Sequence, residues 1–133
     1  MTKSIAEKHG FVATYMPKPF VDRAGSGLHA HVTMHDITTG KNLFKEAGAG
    51  EYEVSEMGWH FLGGMLAHAK GMAAITNPTV NSYKRLNAAP TLSGASWAPN
   101  TISYTGNNRT HMIRIPVSLP IYRWFRTPCA ACY

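Results

Sequence analysis

The feature that most constrains this chain is the unbroken alternation of apolar and polar residues in segment 25–35, which opens with a glycine-rich turn. Its apolar residues would share one face of an extended strand, and the other face would carry His29, His31, Thr33 and His35. Imidazole and hydroxyl groups in a row suit the binding of a metal ion or a phosphate. A solvent-facing strand that carries histidines by chance is the alternative, and the pattern leaves both open.

The size and composition of the chain indicate a single globular domain. Its 133 residues are enough for one hydrophobic core and too few for two ordinary domains. Hydrophobic residues make up 44% and charged residues 15%, which is not typical of a disordered chain. No apolar run approaches the roughly 20 residues that span a bilayer, and residues 1–8 lack the apolar core of a secretion signal. We therefore expect a cytoplasmic protein without membrane association.

The charge balance favours an anionic partner. The net charge is +6 with histidine counted as neutral, and such a balance suits a nucleotide, a phosphate or a polyanion. Because the Lys and Arg residues are scattered singly, a compact phosphate-bearing substrate fits as well as nucleic acid does, and no nucleic-acid partner is expected. The chain has only 7 Asp and Glu residues, which limits any divalent-metal site that depends on carboxylates.

Capping signals and apolar spacing predict two helices. The first is capped by Thr2, runs through Lys8 and ends at Gly10, which can adopt the left-handed conformation. The second begins after Ser55, has apolar residues at steps of three and four, and is bounded by Pro78. We expect the glycine pair 63–64 in its middle to allow close approach to a sheet.

Strand patterns lie on both sides of the long helix. Segment 11–16 is rich in β-branched and aromatic residues, and segment 28–35 is the histidine strand described above. Segments 101–104 and 110–115 are predicted to form a hairpin, because Gly and Asn residues at 106–108 tolerate the positive φ of a tight turn.

Three arginines lie in segments that we predict to be non-helical. Arg85 ends an irregular stretch, 80–86, whereas Arg109 and Arg114 belong to the predicted hairpin. A fixed guanidinium group suits bidentate binding of a carboxylate or phosphate. The alternative is three surface salt bridges, which contribute little stability. Together with the histidine strand, the arginines make phosphoryl chemistry a competitive interpretation.

Three separated motifs resemble hallmarks of the glutamine synthetase family. They are Lys18-Pro19 with Gly-Ser-Gly-Leu-His-Ala-His-Val at 25–32, Asn-Pro-Thr-Val-Asn-Ser-Tyr-Lys-Arg-Leu at 77–86, and Asn107-Asn108-Arg109 followed by Ile-Arg-Ile-Pro at 113–116. Their order and approximate spacing agree with the family, and the resemblance covers about residues 2–116. Segment 93–100 is more similar to the divergent branch that includes γ-glutamylmethylamide synthetases.

The resemblance implies an α+β fold, with antiparallel strands forming part of the glutamine synthetase catalytic barrel and helices backing them. Residues 1–116 would be a partial catalytic domain. The implied activity is ATP-dependent ligation of ammonia to the γ-carboxylate of glutamate through γ-glutamyl phosphate. A γ-glutamyl-amine (methylamide) ligase and a non-catalytic phosphate- or nucleotide-binding remnant are the alternatives. The implied cofactors are ATP and Mg²⁺ or Mn²⁺, the substrates are glutamate and ammonia or a small amine, and the full-length family forms homo-oligomers.

The resemblance also assigns roles to individual residues. It implies His29 as a metal ligand, Gly25 and Arg85 as substrate-binding residues, Arg109 as a catalytic residue, and His31, Thr33, Arg109 and Arg114 as ATP-binding residues. An arginine that neutralises charge on a transferring phosphoryl group can contribute on the order of 10³–10⁵ in rate.

The chain also departs from the family pattern. Segment 117–133 contains no acidic residue where the family continues with a Glu ligand and an Asp-x-x-x-Asn-Pro-Tyr run, so we interpret it as a divergent tail. Ala24 stands where many members carry Asn, and the family's upstream glutamate-bearing strands do not precede Met1. Cys129 and Cys132 are expected to be a chance pair in a frayed tail. We expect a central piece of a catalytic domain that lacks full activity alone.

Overall fold

Four helices and four strands make up the regular structure of the described chain. The computed structural model describes residues 1–88, 98–99, 101–106, 108, 110–115 and 125–132, the last range as backbone only. In chain order the elements are α1 (Thr2–Lys8), β1 (Leu28–Val32), α2 (Glu56–Ala67), α3 (Ala69–Thr76), α4 (Val80–Leu86), β2 (Thr101–Thr105), β3 (His111–Arg114) and β4 (Phe125–Cys132). This confirms the α+β class. Within these residues, no helix combines the length and apolarity needed to cross a membrane.

The strands form one mixed sheet in the order β1-β4-β3-β2. β4 pairs antiparallel with β1 and β3, whereas β2 and β3 run parallel, with Thr101 opposite His111. The predicted hairpin of segments 101–104 and 110–115 is therefore wrong, and the sheet is not purely antiparallel. The stretch between these strands is long enough, at roughly 3.3–3.6 Å per residue, for β3 to begin beside the start of β2.

Part of the predicted tail belongs to this sheet. The backbone of Phe125–Cys132 lies between β1 and β3, so the expectation of a frayed tail is wrong for these residues. Strand edges carry unpaired N–H and C=O groups, and an extended segment that lies between two such edges satisfies both. The barrel and the division of the chain at residue 116 stay predictions.

The N-terminal helix ends at Gly10 as predicted, but its N-cap is Met1 and not Thr2, and no side chain caps it. Gly10 has φ 75°, its N–H donates to Glu7 O at 3.0 Å, and the N–H of Phe11 donates to Ala6 O at 2.9 Å. These two bonds satisfy carbonyls that the end of a helix leaves without partners. The strand predicted at 11–16 is wrong, and Phe11 and Val12 are exposed. Strand propensity does not suffice here, because a strand also needs a neighbouring strand to pair with. β1, the next extended segment along the chain, pairs with β4 and not with segment 11–16.

The long helix predicted after Ser55 forms as two helices that meet at His68, where the backbone leaves the helical conformation (φ −96°, ψ 5°). Ser55 caps α2 as predicted, because its hydroxyl oxygen accepts a hydrogen bond from Gly58 N–H at 3.1 Å. The same hydroxyl donates to the carbonyl of Leu43. Ser55 therefore starts the helix and also attaches it to the preceding loop.

The hydrophobic core lies between α2, β3 and the loop before α2. Its buried members are Phe44, Val54, Leu62, Ile113 and Ile115. Aromatic rings extend it: the centroids of Trp59 and Tyr104 lie 5.6 Å apart, and those of Phe44 and Phe61 lie 5.0 Å apart. Through Ile113, this core holds the strand that ends in Arg114.

The glycine pair in α2 does not meet a sheet, so that prediction is wrong. Gly63 and Gly64 are exposed, and a Cβ built on either would have no neighbour within 4 Å. α2 packs through Leu62, whereas Gly63 and Gly64 lie away from this contact.

We expect Gly63→Ala to stabilise the fold by about 0.5–1 kcal/mol, because alanine loses less backbone entropy in a helix and meets no steric obstacle here. Gly106→Ala is the matched control. There a Cβ would lie 3.1 Å from Cε1 of Tyr52, so a gain is not expected. Urea unfolding measures both variants, and a Gly63→Ala protein less stable than the parent would contradict the expectation.

Candidate functional site

A buried arginine lies beneath the glycine turn. Arg85, on α4, is only 4% exposed. A Cβ built on Gly27 would lie 2.7 Å from Arg85 Nη2, and one built on Gly25 would lie 3.0 Å from Arg85 Cδ and overlap the carbonyl oxygen of Pro17. Neither glycine has a positive φ. Position 27 therefore needs glycine because the loop backbone approaches the arginine closely, and position 25 because it also approaches the carbonyl oxygen of Pro17. The turn conformation is not the reason at either position.

Hydrogen bonds attach this loop to α4. The backbone N–H of Lys18 donates to Asn81 Oδ1 at 2.6 Å, and Asn81 Nδ2 donates back to Lys18 O at 2.9 Å. Within the loop, the N–H of Ser26 donates to Pro17 O at 2.9 Å, and Lys18 Nζ donates to Arg23 O. Segment 17–27 is thus held as one unit against the helix that carries Arg85.

The segment that carries Arg85 is a helix, although its sequence predicts an irregular stretch. Thr79 caps it, since its hydroxyl oxygen accepts from Ser82 N–H at 3.3 Å, and Ser82 is fully buried. The cap and this burial outweigh the weak helix propensity of the segment. Asn81 and Arg85 are one helical turn apart and share a face. Sequence reasoning passed over Asn81, and only its spacing from Arg85 within a helix could have indicated it.

The histidine strand is shorter and more exposed than predicted. β1 covers Leu28–Val32, and only Val32 packs against the core. Leu28 is 59% exposed and Met34 39% exposed, so the predicted apolar face is not a buried one. Val32 is the member of that face that packs against the core cluster. His29 and His31 are also exposed, and Thr33 follows just beyond the strand.

A hydrogen-bonded turn follows the histidine segment. The Asp36 carboxylate accepts from the N–H of Thr39 at 2.7 Å, the hydroxyl of Thr39 at 2.9 Å and the N–H of Thr38 at 2.9 Å. The hydrogen bond from the backbone of Thr39, followed by that from its hydroxyl, lowers the pKa of Asp36 below its ordinary value. The turn therefore holds at neutral pH, with Asp36 ionised.

The sheet register relates the histidine strand to the arginine strand. His31 of β1 and Arg114 of β3 each pair in register with residue 126 of β4, the strand between them. Residues opposite each other on neighbouring strands share a face. His31 and Arg114 therefore lie on one face, two strands and about 10 Å apart. Arg109, the third motif's arginine, lies outside the described residues.

The described residues do not contain a complete metal site. Among them, no group of three or more His, Cys, Asp or Glu side chains comes together. His29 can offer one nitrogen ligand, whereas Mg²⁺ and Mn²⁺ are held mainly by carboxylate and water oxygens. The part of the chain that the structure describes thus does not fit a divalent cation by itself.

Comparison with known proteins identifies the family. The sequence model of the family "Glutamine synthetase, catalytic domain" matches residues 1–125. The chain belongs to this family. It is 57% identical over 116 residues to the glutamine synthetase of Rhizobium meliloti, which covers 87% of the chain. It is 46% identical over 113 residues to the glutamate–methylamine ligase of Methyloversatilis universalis, which covers 84% of the chain.

The fold agrees with this glutamine synthetase assignment. The structure of Plasmodium falciparum glutamine synthetase matches 98% of this chain with a TM-score of 0.77 and 30% sequence identity. The chain spans about a quarter of the length of these relatives: 26% of the Rhizobium enzyme, 25% of the methylamine ligase and 25% of the Plasmodium chain. The family resemblance stated from the three motifs is confirmed.

Proposed function

We propose that this chain is a central part of a glutamine synthetase-type ligase, which joins ammonia to the γ-carboxylate of glutamate with ATP as the phosphoryl donor. The observation that carries the proposal is the glycine loop packed on buried Arg85, in a chain 57% identical to a glutamine synthetase. A bidentate guanidinium group beneath backbone amides suits a carboxylate ligand. In this proposal, Gly25 and Arg85 bind glutamate.

The reaction class explains why a phosphate-binding face is needed beside this pocket. A carboxylate resists attack by an amine, so the γ-carboxylate oxygen first takes the terminal phosphoryl group of ATP and ADP leaves. Ammonia then attacks the carbonyl carbon of γ-glutamyl phosphate, phosphate departs with the C–O bond electrons, and a proton is lost. We propose His31, Thr33 and Arg114 as ATP-binding residues, supported by the shared face of His31 and Arg114. Arg109 would neutralise phosphoryl charge.

The proposal includes a divalent metal, Mg²⁺ or Mn²⁺, for which the described residues supply only part of the ligand set. His29 would supply one ligand, and carboxylates from outside the described residues would supply the others. Assembly into homo-oligomers and a cytoplasmic location likewise stay predictions for this chain.

Two alternative functions have support. A γ-glutamyl-amine ligase is supported by the 46% identity to the methylamine ligase, which is lower than the 57% identity to the glutamine synthetase. A non-catalytic nucleotide-binding remnant is supported by the incomplete ligand set among the described residues. The first alternative differs from the main proposal only in the amine, and the second in needing no metal.

A nucleotide titration with and without Mn²⁺ tests the proposal. We expect ATP to bind more tightly with Mn²⁺, and His29→Ala to abolish that gain, because this variant removes the ligand nitrogen. His60→Ala, at an exposed position on α2, is the matched control and should keep the gain. Metal-independent binding that is lost in Arg109→Ala would instead support the remnant, and no ATP binding in either condition would contradict both. Mass analysis of products formed with ammonia or methylamine separates the two ligases.

A further inference from the structure

One amide side chain attaches the segment before the glycine loop to α4. Both polar atoms of the Asn81 amide bond to the backbone of Lys18, one as acceptor at 2.6 Å and one as donor at 2.9 Å. The two residues are 63 positions apart in the sequence, so these bonds attach distant segments and do not serve a local turn. Thr79, and not Asn81, caps the helix. Asn81 therefore has no local role that would explain this double contact.

Pro17, the residue before Lys18, limits the space available at Gly25 in the glycine loop. Pro17 O accepts the N–H of Ser26 at 2.9 Å, and the same oxygen occupies the space that a Cβ on Gly25 would need. Moving Lys18 would move Pro17, and with it both the hydrogen bond and the steric limit. Contacts thus run from Asn81 through Lys18 and Pro17 to Gly25, which lies over Arg85.

We propose that Asn81 is a positioning residue that fixes the glycine loop at contact distance from Arg85, acting through Lys18 and Pro17. Asn81 and Arg85 lie one turn apart on α4, so a single helix holds both the loop and the guanidinium group that the loop covers. The carboxylate pocket is then preformed before a ligand arrives, which lowers the ordering cost of binding. The inference rests on the proposed function only for the identity of the ligand.

A double-mutant cycle in this chain tests the positioning role. Gly25→Ala forces its Cβ against Pro17 O, and Asn81→Ala frees Pro17 and Lys18 to move away. We expect Gly25→Ala to shift the unfolding equilibrium about tenfold less in the Asn81→Ala background than in the parent, since residues that share a contact couple. Asn87→Ala, at the exposed end of α4, is the matched control and should be additive with Gly25→Ala.

Additive effects of Asn81→Ala and Gly25→Ala, or equal coupling in the Asn87→Ala control, would overturn the inference. Where Gly25→Ala fails to fold, Gly27→Ala replaces it in the cycle. There the Cβ meets a side-chain atom, Arg85 Nη2 at 2.7 Å, rather than a backbone oxygen, so the variant is milder.

Ligand binding separates this inference from the proposed function. We expect Asn81→Ala to weaken L-glutamate binding about tenfold, to leave ATP binding unchanged, and to speed hydrogen exchange of the Ser26 N–H, as NMR can measure. An equal loss of glutamate and ATP binding would indicate general damage and overturn a positioning role. Parent protein that binds no glutamate but shows the coupling would overturn the proposed function alone. Glutamate binding without coupling would overturn the inference alone.

Discussion

Arg85→Leu is expected to abolish measurable binding of L-glutamate, with a loss of about 100-fold or more, while the chain stays folded. Truncating one member of a desolvated charge pair typically costs about 2–5 kcal/mol, and Arg85 is 4% exposed. Leucine fills part of the same buried volume, but removing one member of a buried charged contact also costs stability, by about 3–5 kcal/mol. The affinities are therefore compared per folded molecule.

Arg85→Lys should also bind glutamate poorly, because an ammonium group is a point charge and cannot reproduce the planar, two-pronged contact of a guanidinium group. Lys84→Leu is the matched control. It removes a neighbouring cation that is exposed on α4, and it should keep the parent affinity. Isothermal titration calorimetry measures the affinities, and circular dichroism checks the fold. Folded Arg85→Leu protein with the parent affinity for glutamate would remove the basis of the proposed pocket.

Local chemistry explains which parts of this fold could be predicted from the sequence. The end of α1 at Gly10 and the cap of α2 at Ser55 are confirmed, because each depends on groups only a few residues apart. The strand at 11–16 and the glycine pair at 63–64 were wrong, because each prediction assumed a distant partner. A pattern along the chain shows that a segment can pair or pack, but it does not show what lies opposite.

The same distinction between local and distant partners applies to the candidate site. The motif that contains Arg85 did not indicate the helix that carries the arginine, because α4 depends on the burial of Ser82 as well as on its own residues. The role of Arg85 in binding stays a prediction. Asn81 was overlooked because its partner Lys18 is 63 positions away. The shared face of His31 and Arg114 depends on β4, which the sequence did not predict as a strand.

Ile113→Ala is expected to destabilise the chain by about 2–5 kcal/mol, the range for removing a large aliphatic side chain from a core. Ile113 is fully buried on β3 and belongs to the same core cluster as Phe44 and Leu62. A domain of ordinary stability has only about 5–15 kcal/mol, so this loss is a large part of the total. Ile75→Ala is the matched control: its side chain is 81% exposed on α3, and its effect should stay within about 0.5 kcal/mol.

Urea unfolding measures both isoleucine variants, and a loss below about 1 kcal/mol for Ile113→Ala would contradict its place in a close-packed core. Ile113→Val gives an intermediate point, with an expected loss of about 0.5–1.5 kcal/mol.

The next residue on β3, Arg114, gives a further contrast. We expect Ile113→Ala to lower ATP binding only through the fraction of unfolded chain, and Arg114→Leu to lower the affinity of the folded chain itself. Extrapolating binding to fully folded protein therefore distinguishes the residue that packs the strand from the residue that we propose binds phosphate.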